Sequence, residues 1–163
     1  MVDIATPIRM ELAQLRPNKG RVEANLARIR EWAAGSVGEV DLLVFPECVT
    51  SGYFVEGAVE EVSRTAGEVA AGLGATEPGS PDIVLGFYES GDGPTYNAVG
   101  WFTPDEGAYR LVHRHRKMFL PTYGVFDESR FVSPGTAIEA FEARFGCAGM
   151  LVCEEMYHSL PPT

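Results

Sequence analysis

The stretch VDLLVFPE, residues 40–47, decides the fold class of this chain. Its apolar residues are continuous rather than alternating, which predicts a central strand over residues 40–46 that is covered on both faces. Pro46 cannot donate a hydrogen bond to a neighbouring strand, so regular pairing should end there. We therefore expect the Glu47 carboxylate to leave the sheet at the carboxyl end of this strand.

Two further runs end on a residue capable of chemistry. YRLVHRHR (109–116) is followed by Lys117, and CAGMLV (147–152) is followed by Cys153. In open α/β sheets, ligands gather beyond the carboxyl ends of the strands. We therefore expect Glu47, Lys117 and Cys153 to meet in one crevice.

The remaining pattern alternates strands and helices before turning into a meander. Val22, Leu26, Ile29 and Ala33 follow helical spacing, which predicts a helix over 22–34. A second helix is predicted over 56–73, and a third begins at Glu154. Strands are predicted at 8–15, 40–46, 83–88, 96–102, 108–116, 138–145 and 146–152, with a long loop at 118–135. This order predicts one α/β domain with a mixed sheet and helices on one face.

The composition restricts the classes of partner. The net charge of −10 disfavours nucleic acid and anionic membrane surfaces, and no apolar stretch approaches the ~20 residues of a membrane helix. The N-terminal residues lack the pattern of a signal peptide. Cysteines at 48, 147 and 153 show no metal-ligand spacing, which favours reduced thiols in a cytoplasmic protein. A zinc site of Cys147, Cys153 and His158 lacks a second close ligand pair, so no metal is expected.

Glu47, Lys117 and Cys153 together supply a general base, an electrostatic stabiliser and a nucleophile. That set suits cleavage of a carbon–nitrogen bond. At a helix N-terminus the pKa of the Cys153 thiol should be lowered, although Glu154 and Glu155 oppose this and a cation such as Lys117 would be needed. Each residue also has a plain alternative: a packed cysteine, a surface or capping glutamate, and a solvated lysine at the end of a basic run.

Two more cysteines and a basic cluster also need an interpretation. Cys48 and Cys147 are assigned to packing. Residues 113–117 form the one basic cluster of an acidic chain. For most of its members we favour solvation at a strand end or pairing with local acids.

Longer motifs give a more specific interpretation. Pro46-Glu47-Cys48, HRKMFLPTYGVFDESRFVSPG (115–135) and LVCEEMYHSLP (151–161) follow one another in the order and spacing of the nitrilase, or carbon–nitrogen hydrolase, superfamily. RMELAQLRPNKG (9–20), with Asn25-Leu26 beyond it, resembles the first strand and helix of that family. The resemblance covers nearly the whole chain.

The resemblance implies a nitrilase-like α-β-β-α sandwich and a Glu-Lys-Cys triad. Matched by motif, Glu47 would be the general base, Lys117 the cation at the oxyanion and Cys153 the nucleophile. Glu128 would orient substrate or the lysine, and the backbone N–H of Glu154 would share the oxyanion contact. The resemblance also implies no cofactor, a small-molecule amide substrate and a homo-oligomer, expected to be a homodimer.

Members of the family continue well beyond the nucleophile, whereas residue 163 follows Cys153 by ten positions. We therefore expect residues 1–163 to be a single partial domain, truncated after the nucleophile strand. Such a domain would expose sheet edges and an apolar face. Either the chain is a fragment of a longer product, or a partner chain supplies the missing surface.

Several functions fit this pattern. The first is an amidase-type hydrolase that cleaves a small linear amide through a cysteine thioester and releases ammonia. A glutaminase domain that feeds ammonia to a synthetase is a variant of it, and nitrile hydrolysis is less favoured. The rival from another class is a non-catalytic or truncated subunit with an incomplete pocket.

Overall fold

The computed structural model describes residues 7–91 and 93–158 and contains a five-stranded mixed sheet. Strands β1 to β5 are neighbours in chain order. β1 is parallel to β2 and β2 to β3, whereas β4 is antiparallel to both β3 and β5. The carboxyl ends of β1, β2, β3 and β5 therefore lie at one edge of the sheet. The strand bounds are β1 Met10–Leu12, β2 Leu42–Val44, β3 Asp82–Glu89, β4 Tyr96–Asp105 and β5 Ala108–Arg116.

The helices cover one face of this sheet. Helix α1 spans Val22–Gly35, in agreement with the helical spacing of the sequence. Its buried residues Leu26 and Ile29 share one core with Leu43 of β2 and with the inward residues of β3. No helix in the described ranges combines the length and apolarity needed to cross a membrane.

The prediction of one helix over 56–73 is wrong. The segment forms a 3₁₀ turn at Glu56–Ala58, helix α2 at Val59–Val62 and helix α3 at Ala66–Leu73. The Thr65 hydroxyl accepts a hydrogen bond from the backbone N–H of Glu68, whose carboxylate accepts the N–H of Thr65 at 2.7 Å. This capping box starts a new helix. The backbone of Arg64 pairs with Tyr88 and Ser90 instead of continuing α2.

The last two predicted strands, 138–145 and 146–152, are also shorter than expected. β6 (Phe141–Ala143) and β7 (Gly146–Ala148) form a separate two-stranded sheet. Phe141 packs edge-on against Trp101 with ring centroids 5.5 Å apart, and Arg144 Nε lies 3.1 Å from Asp82 Oδ1. The hairpin therefore covers the sheet face opposite the helices. The first strand is likewise shorter, at 10–12 rather than 8–15.

Candidate active site

Glu47 is held by backbone contacts between the end of β2 and β3. The N–H of Phe45 donates to the carbonyl of Val84 at 2.8 Å, and the N–H of Gly86 donates to the carbonyl of Pro46 at 3.3 Å. A Cβ at Gly86 would lie 2.7 Å from the Cα of Glu47, so only glycine lets the chain pass this closely. The Glu47 side chain keeps 20% of its surface exposed.

Lys117 follows β5 directly and is fully buried. Its Nζ donates to Glu47 Oε1 at 2.8 Å and to Glu128 Oε2 at 2.9 Å. Burial lowers the pKa of Lys117, but the charges and hydrogen bonds of the two carboxylates outweigh it and raise the pKa above its usual value. A solvated lysine is therefore the wrong interpretation, and the ammonium is permanently charged near neutral pH.

Most other members of the basic cluster pair with acids. Arg114 Nη1 lies 2.5 Å from Glu89 Oε1, and Arg116 Nε lies 2.6 Å from Glu89 Oε2. Glu89 is almost completely buried and these arginines neutralise its charge. The expectation of pairing with local acids is confirmed.

Glu128 lies in the long loop, in a 3₁₀ turn over Glu128–Arg130, and is buried. Its backbone N–H donates to the carbonyl of Pro121 at 3.1 Å. One carboxylate oxygen accepts from Lys117 and the other from the side chain of Asn97. The structure therefore brings Glu128 together with Glu47 and Lys117.

Asn97, near the start of β4, is a member of this cluster that the sequence analysis missed. It is fully buried, and its Nδ2 donates to Glu47 Oε1 at 2.7 Å as well as to Glu128. Its Oδ1 accepts from the Cys48 thiol at 3.5 Å. The sequence feature that could have revealed Asn97 is a single amide side chain within the otherwise apolar stretch 96–102.

Cys153 opens a 3₁₀ turn, Cys153–Tyr157, with a left-handed φ of +51°. It lines a groove of about 330 Å³ whose lining also includes Glu47, Gly86, Trp101 and Met150. Glu47 and Cys153 therefore face the same space.

The expected lowering of the Cys153 pKa is wrong. Burial raises the pKa of the thiol, and the charge of Glu47 raises it further; Lys117 and the backbone N–H of Glu154 act in the opposite direction but are outweighed. A single 3₁₀ turn also supplies less dipole than the helix expected from the sequence. The resting group is a neutral thiol that needs a base before it can attack.

Glu155 joins the Cys153 turn to the end of β5, and the sequence analysis missed this role. It is fully buried; its carboxylate accepts from the backbone N–H of Met118 at 2.8 Å and of Val152 at 2.7 Å, and lies 2.7 Å from His115 Nε2. Burial raises the pKa of Glu155, but these hydrogen bonds outweigh it and lower the pKa overall. Of the two acidic residues that follow Cys153, the sequence analysis assigned a site role only to Glu154.

Glu154 points away from the charged cluster. Its Oε2 accepts from the Tyr123 hydroxyl at 2.6 Å, and its Oε1 lies 3.7 Å from His158 Nε2. Its backbone N–H acts to lower the pKa of the Cys153 thiol.

The two remaining cysteines differ. Cys48 is buried, in agreement with a packing role, whereas Cys147 is exposed in β7, so its assignment to packing is wrong. Among the described residues, no other layer covers the Cys147 side chain, because its hairpin lies at the surface. Within residues 7–91 and 93–158, no group of three or more histidine, cysteine, aspartate or glutamate side chains could hold a metal ion.

Sequence comparisons find similarity between this chain and known proteins. A profile described as carbon–nitrogen hydrolase matches residues 10–161. The glutamine-dependent NAD(+) synthetase of Thermotoga maritima is 32% identical over 168 residues, which cover 96% of this chain and 27% of the synthetase. An (R)-stereoselective amidase of a Pseudomonas species is 34% identical over 162 residues, which cover 96% of this chain and 54% of the amidase.

A solved structure gives the same result. The glutamine-dependent NAD+ synthetase of Acinetobacter baumannii, in complex with ADP, superposes with a TM-score of 0.76 at 28% identity, covering 92% of this chain and 28% of that one. The chain thus spans about a quarter of the length of the synthetases and about half that of the amidase.

Proposed function

Because this chain belongs to the carbon–nitrogen hydrolase family, we propose that it hydrolyses the amide bond of a small linear amide through a thioester on Cys153. The observation that most directly supports the proposal is the Lys117 ammonium, fully buried between Glu47 and Glu128 beside the groove that holds Cys153. A buried cation beside a thiol and a carboxylate can stabilise negative charge that develops on a substrate oxygen.

In the first half-reaction, Glu47 takes the proton of the Cys153 thiol as the sulfur attacks the amide carbon. Negative charge moves to the carbonyl oxygen, where the Lys117 ammonium and the backbone N–H of Glu154 stabilise it. Glu47 then gives its proton to the leaving nitrogen, the carbon–nitrogen bond breaks, and ammonia departs. The product is a thioester on Cys153.

In the second half-reaction, Glu47 takes a proton from water as the water oxygen attacks the thioester carbon. The tetrahedral intermediate collapses, the carbon–sulfur bond breaks, and Glu47 returns its proton to the Cys153 sulfur. The acid product leaves and the starting state is restored. Because burial and Glu47 raise the pKa of Cys153, base-assisted rather than spontaneous thiolate formation fits this site.

A second candidate function is a glutaminase that supplies ammonia to a synthetase. Its support is the similarity of this chain to the glutamine-dependent NAD(+) synthetases of Thermotoga maritima and Acinetobacter baumannii. The same Cys153 chemistry applies with glutamine as the amide. The amidase and glutaminase proposals differ only in the acyl group that Cys153 carries.

The test is intact-protein mass spectrometry after brief exposure to a pool of small linear amides that includes glutamine, followed by acid quenching. We expect an acyl adduct on Cys153; a glutamyl mass supports the glutaminase, and another acyl mass supports the amidase. Cys153→Ala should show no adduct, and Cys147→Ser should keep it. A folded protein that forms no adduct and releases no ammonia would contradict both and favour the non-catalytic subunit.

The proposal also includes a homo-oligomer, which light scattering of the purified protein would test.

A further inference from the structure

We propose that Asn97 is a positioning residue that determines which oxygen of Glu47 takes the proton of Cys153, an inference that rests on the proposed function. Among the described residues, the Asn97 side chain does not itself line the groove, and it hydrogen-bonds to Glu47, Glu128 and Cys48 rather than to Cys153. It acts through Glu47 and Glu128.

The sheet topology places Asn97 at the site. β4 is antiparallel to its neighbours, so its first residues lie at the edge where β3 and β5 end. The backbone carbonyl of Asn97 accepts from the N–H of Lys117 at 2.8 Å. The same residue thus holds the Lys117 main chain with its carbonyl and both carboxylates with its amide.

The two carboxylate oxygens of Glu47 accept different numbers of hydrogen bonds. Oε1 accepts from Asn97 at 2.7 Å and from Lys117 at 2.8 Å. In the described part of the chain, Oε2 carries no hydrogen bond from a nitrogen or oxygen donor. Two donors on one oxygen fix the carboxylate plane and leave Oε2 as the acceptor for the thiol proton.

The hydrogen bonds at Glu128 are arranged differently. Its Oε1 accepts from Asn97 and its Oε2 from Lys117, so each oxygen has a buried donor. A carboxylate with both oxygens engaged is a poor proton acceptor, because proton uptake would break a charge-assisted hydrogen bond. The contacts of Asn97 therefore separate the base, Glu47, from the carboxylate that holds the lysine, Glu128.

An amide is the side chain suited to this task. Asn97 provides two N–H donors without adding charge, so two carboxylates can share one ammonium. An aspartate of the same shape would remove both donors and add a third negative charge. An apolar residue at position 97 would remove one hydrogen-bond donor from Oε1 of Glu47 and one from Oε1 of Glu128, in a buried site.

The chain offers a matched control in Asn25. It is also fully buried, and its Nδ2 donates to two oxygens, the carbonyls of Asn18 at 2.8 Å and Thr50 at 2.9 Å. The hydrogen bonds of its amide are with backbone groups. Asn25→Asp and Asn97→Asp therefore lose the same number of donors from equally buried amides, and only Asn97 faces the charged cluster.

The experiment compares these two variants with wild type and Cys153→Ala, using ammonia release from hexanamide and glutamine over a pH range, together with thermal unfolding. We expect Asn97→Asp to lower kcat by about 100-fold with KM within about threefold, since a misplaced catalytic group costs that much. The acidic limb of its profile should move to higher pH, because a third carboxylate raises the proton affinity of the cluster. Asn25→Asp should lower the unfolding temperature but keep kcat within about threefold.

A folded Asn97→Asp variant with near-normal kcat and an unmoved acidic limb would overturn the inference, and so would an equal loss of kcat in Asn25→Asp. If the aspartate variants do not fold, Asn97→Ser and Asn25→Ser give the same comparison of kcat. Wild-type turnover that does not depend on Cys153 would contradict the proposed function, and the role of Asn97 with it. Cys153-dependent turnover that survives the loss of the Asn97 amide would contradict the role of Asn97 alone.

Discussion

Replacing Lys117 with methionine tests the electrostatics of the buried cluster. The substitution keeps most of the side-chain volume but removes the ammonium that lies between Glu47 and Glu128. Glu128 has 4% of its side chain exposed, so its charge would remain in the interior, where the Asn97 amide still donates to it. A change of this kind differs from the loss of a surface ion pair, because water cannot replace the missing cation.

The expected loss follows from burial. Removing one partner of a buried ion pair costs about 3–5 kcal/mol, against about 0–1 kcal/mol for an exposed pair. We expect Lys117→Met to lower the free energy of unfolding by about 4 kcal/mol at pH 8. Because the pKa of Lys117 is raised above 10.5 in the folded protein, its stabilising effect is fully present below that pH and is lost only as the pH rises through the folded-state pKa.

Urea unfolding followed by tryptophan fluorescence measures this loss, and Trp101 is a buried reporter. Adding Glu128→Gln to Lys117→Met should recover roughly half of the loss. The exposed Lys19 provides the control, since Lys19→Met should change stability by less than about 0.5 kcal/mol.

A loss below about 1 kcal/mol at pH 8 would refute this electrostatic account. So would a double variant less stable than Lys117→Met alone, because it would mean that the charge of Glu128 is not the source of the cost.

Three further substitutions test other parts of the site and its surroundings. Glu155→Gln should lower the free energy of unfolding by about 2 kcal/mol at pH 7, because two buried backbone N–H groups lose a charged acceptor. Since the pKa of Glu155 is lowered, its contribution is lost on protonation, so urea curves should converge with wild type as the pH falls below 4.5. Gly86→Ala should lower kcat for ammonia release at least ~10-fold by displacing Glu47, whereas Gly57→Ala, where nothing lies within 4 Å, should not. Cys147→Ser should keep full ammonia release, because the thiol is exposed and outside the groove lining.

Local sequence predicted the elements whose pattern matches their packing. Leu26 and Ile29 repeat at helical spacing because the side of α1 that carries them faces the core, so the pattern and the burial have the same period. Residues 40–46 contain no alternation because β2 is covered by helices on one face and by the hairpin segment on the other. The order of the strands also placed Glu47 and Lys117 at one edge of the sheet.

Local sequence failed where contacts distant in the chain compete with a local pattern. Residues 56–73 carry helical spacing throughout, yet the pairing of Arg64 with the end of β3 and the cap at Thr65 divide the segment. The pKa of Cys153 also depends on distant groups, since burial and Glu47 outweigh the local turn. The pairing of Arg64 and the surroundings of Cys153 cannot be read from neighbours in sequence, whereas the Thr65–Glu68 capping box is a local motif that sequence reasoning could have found.

The sequence by itself predicted the fold class and the family, and it singled out Glu47, Lys117, Glu128 and Cys153 as candidate site residues, because strand ends and motif spacing are properties of the chain. Only the tertiary structure decided the electrostatic state of the site. Lys117 is buried rather than solvated, and Asn97 joins two carboxylates that lie 50 and 31 residues away. The physical reason is that burial and hydrogen bonding depend on which distant segments pack together, and the periodicity of any one segment does not contain that information.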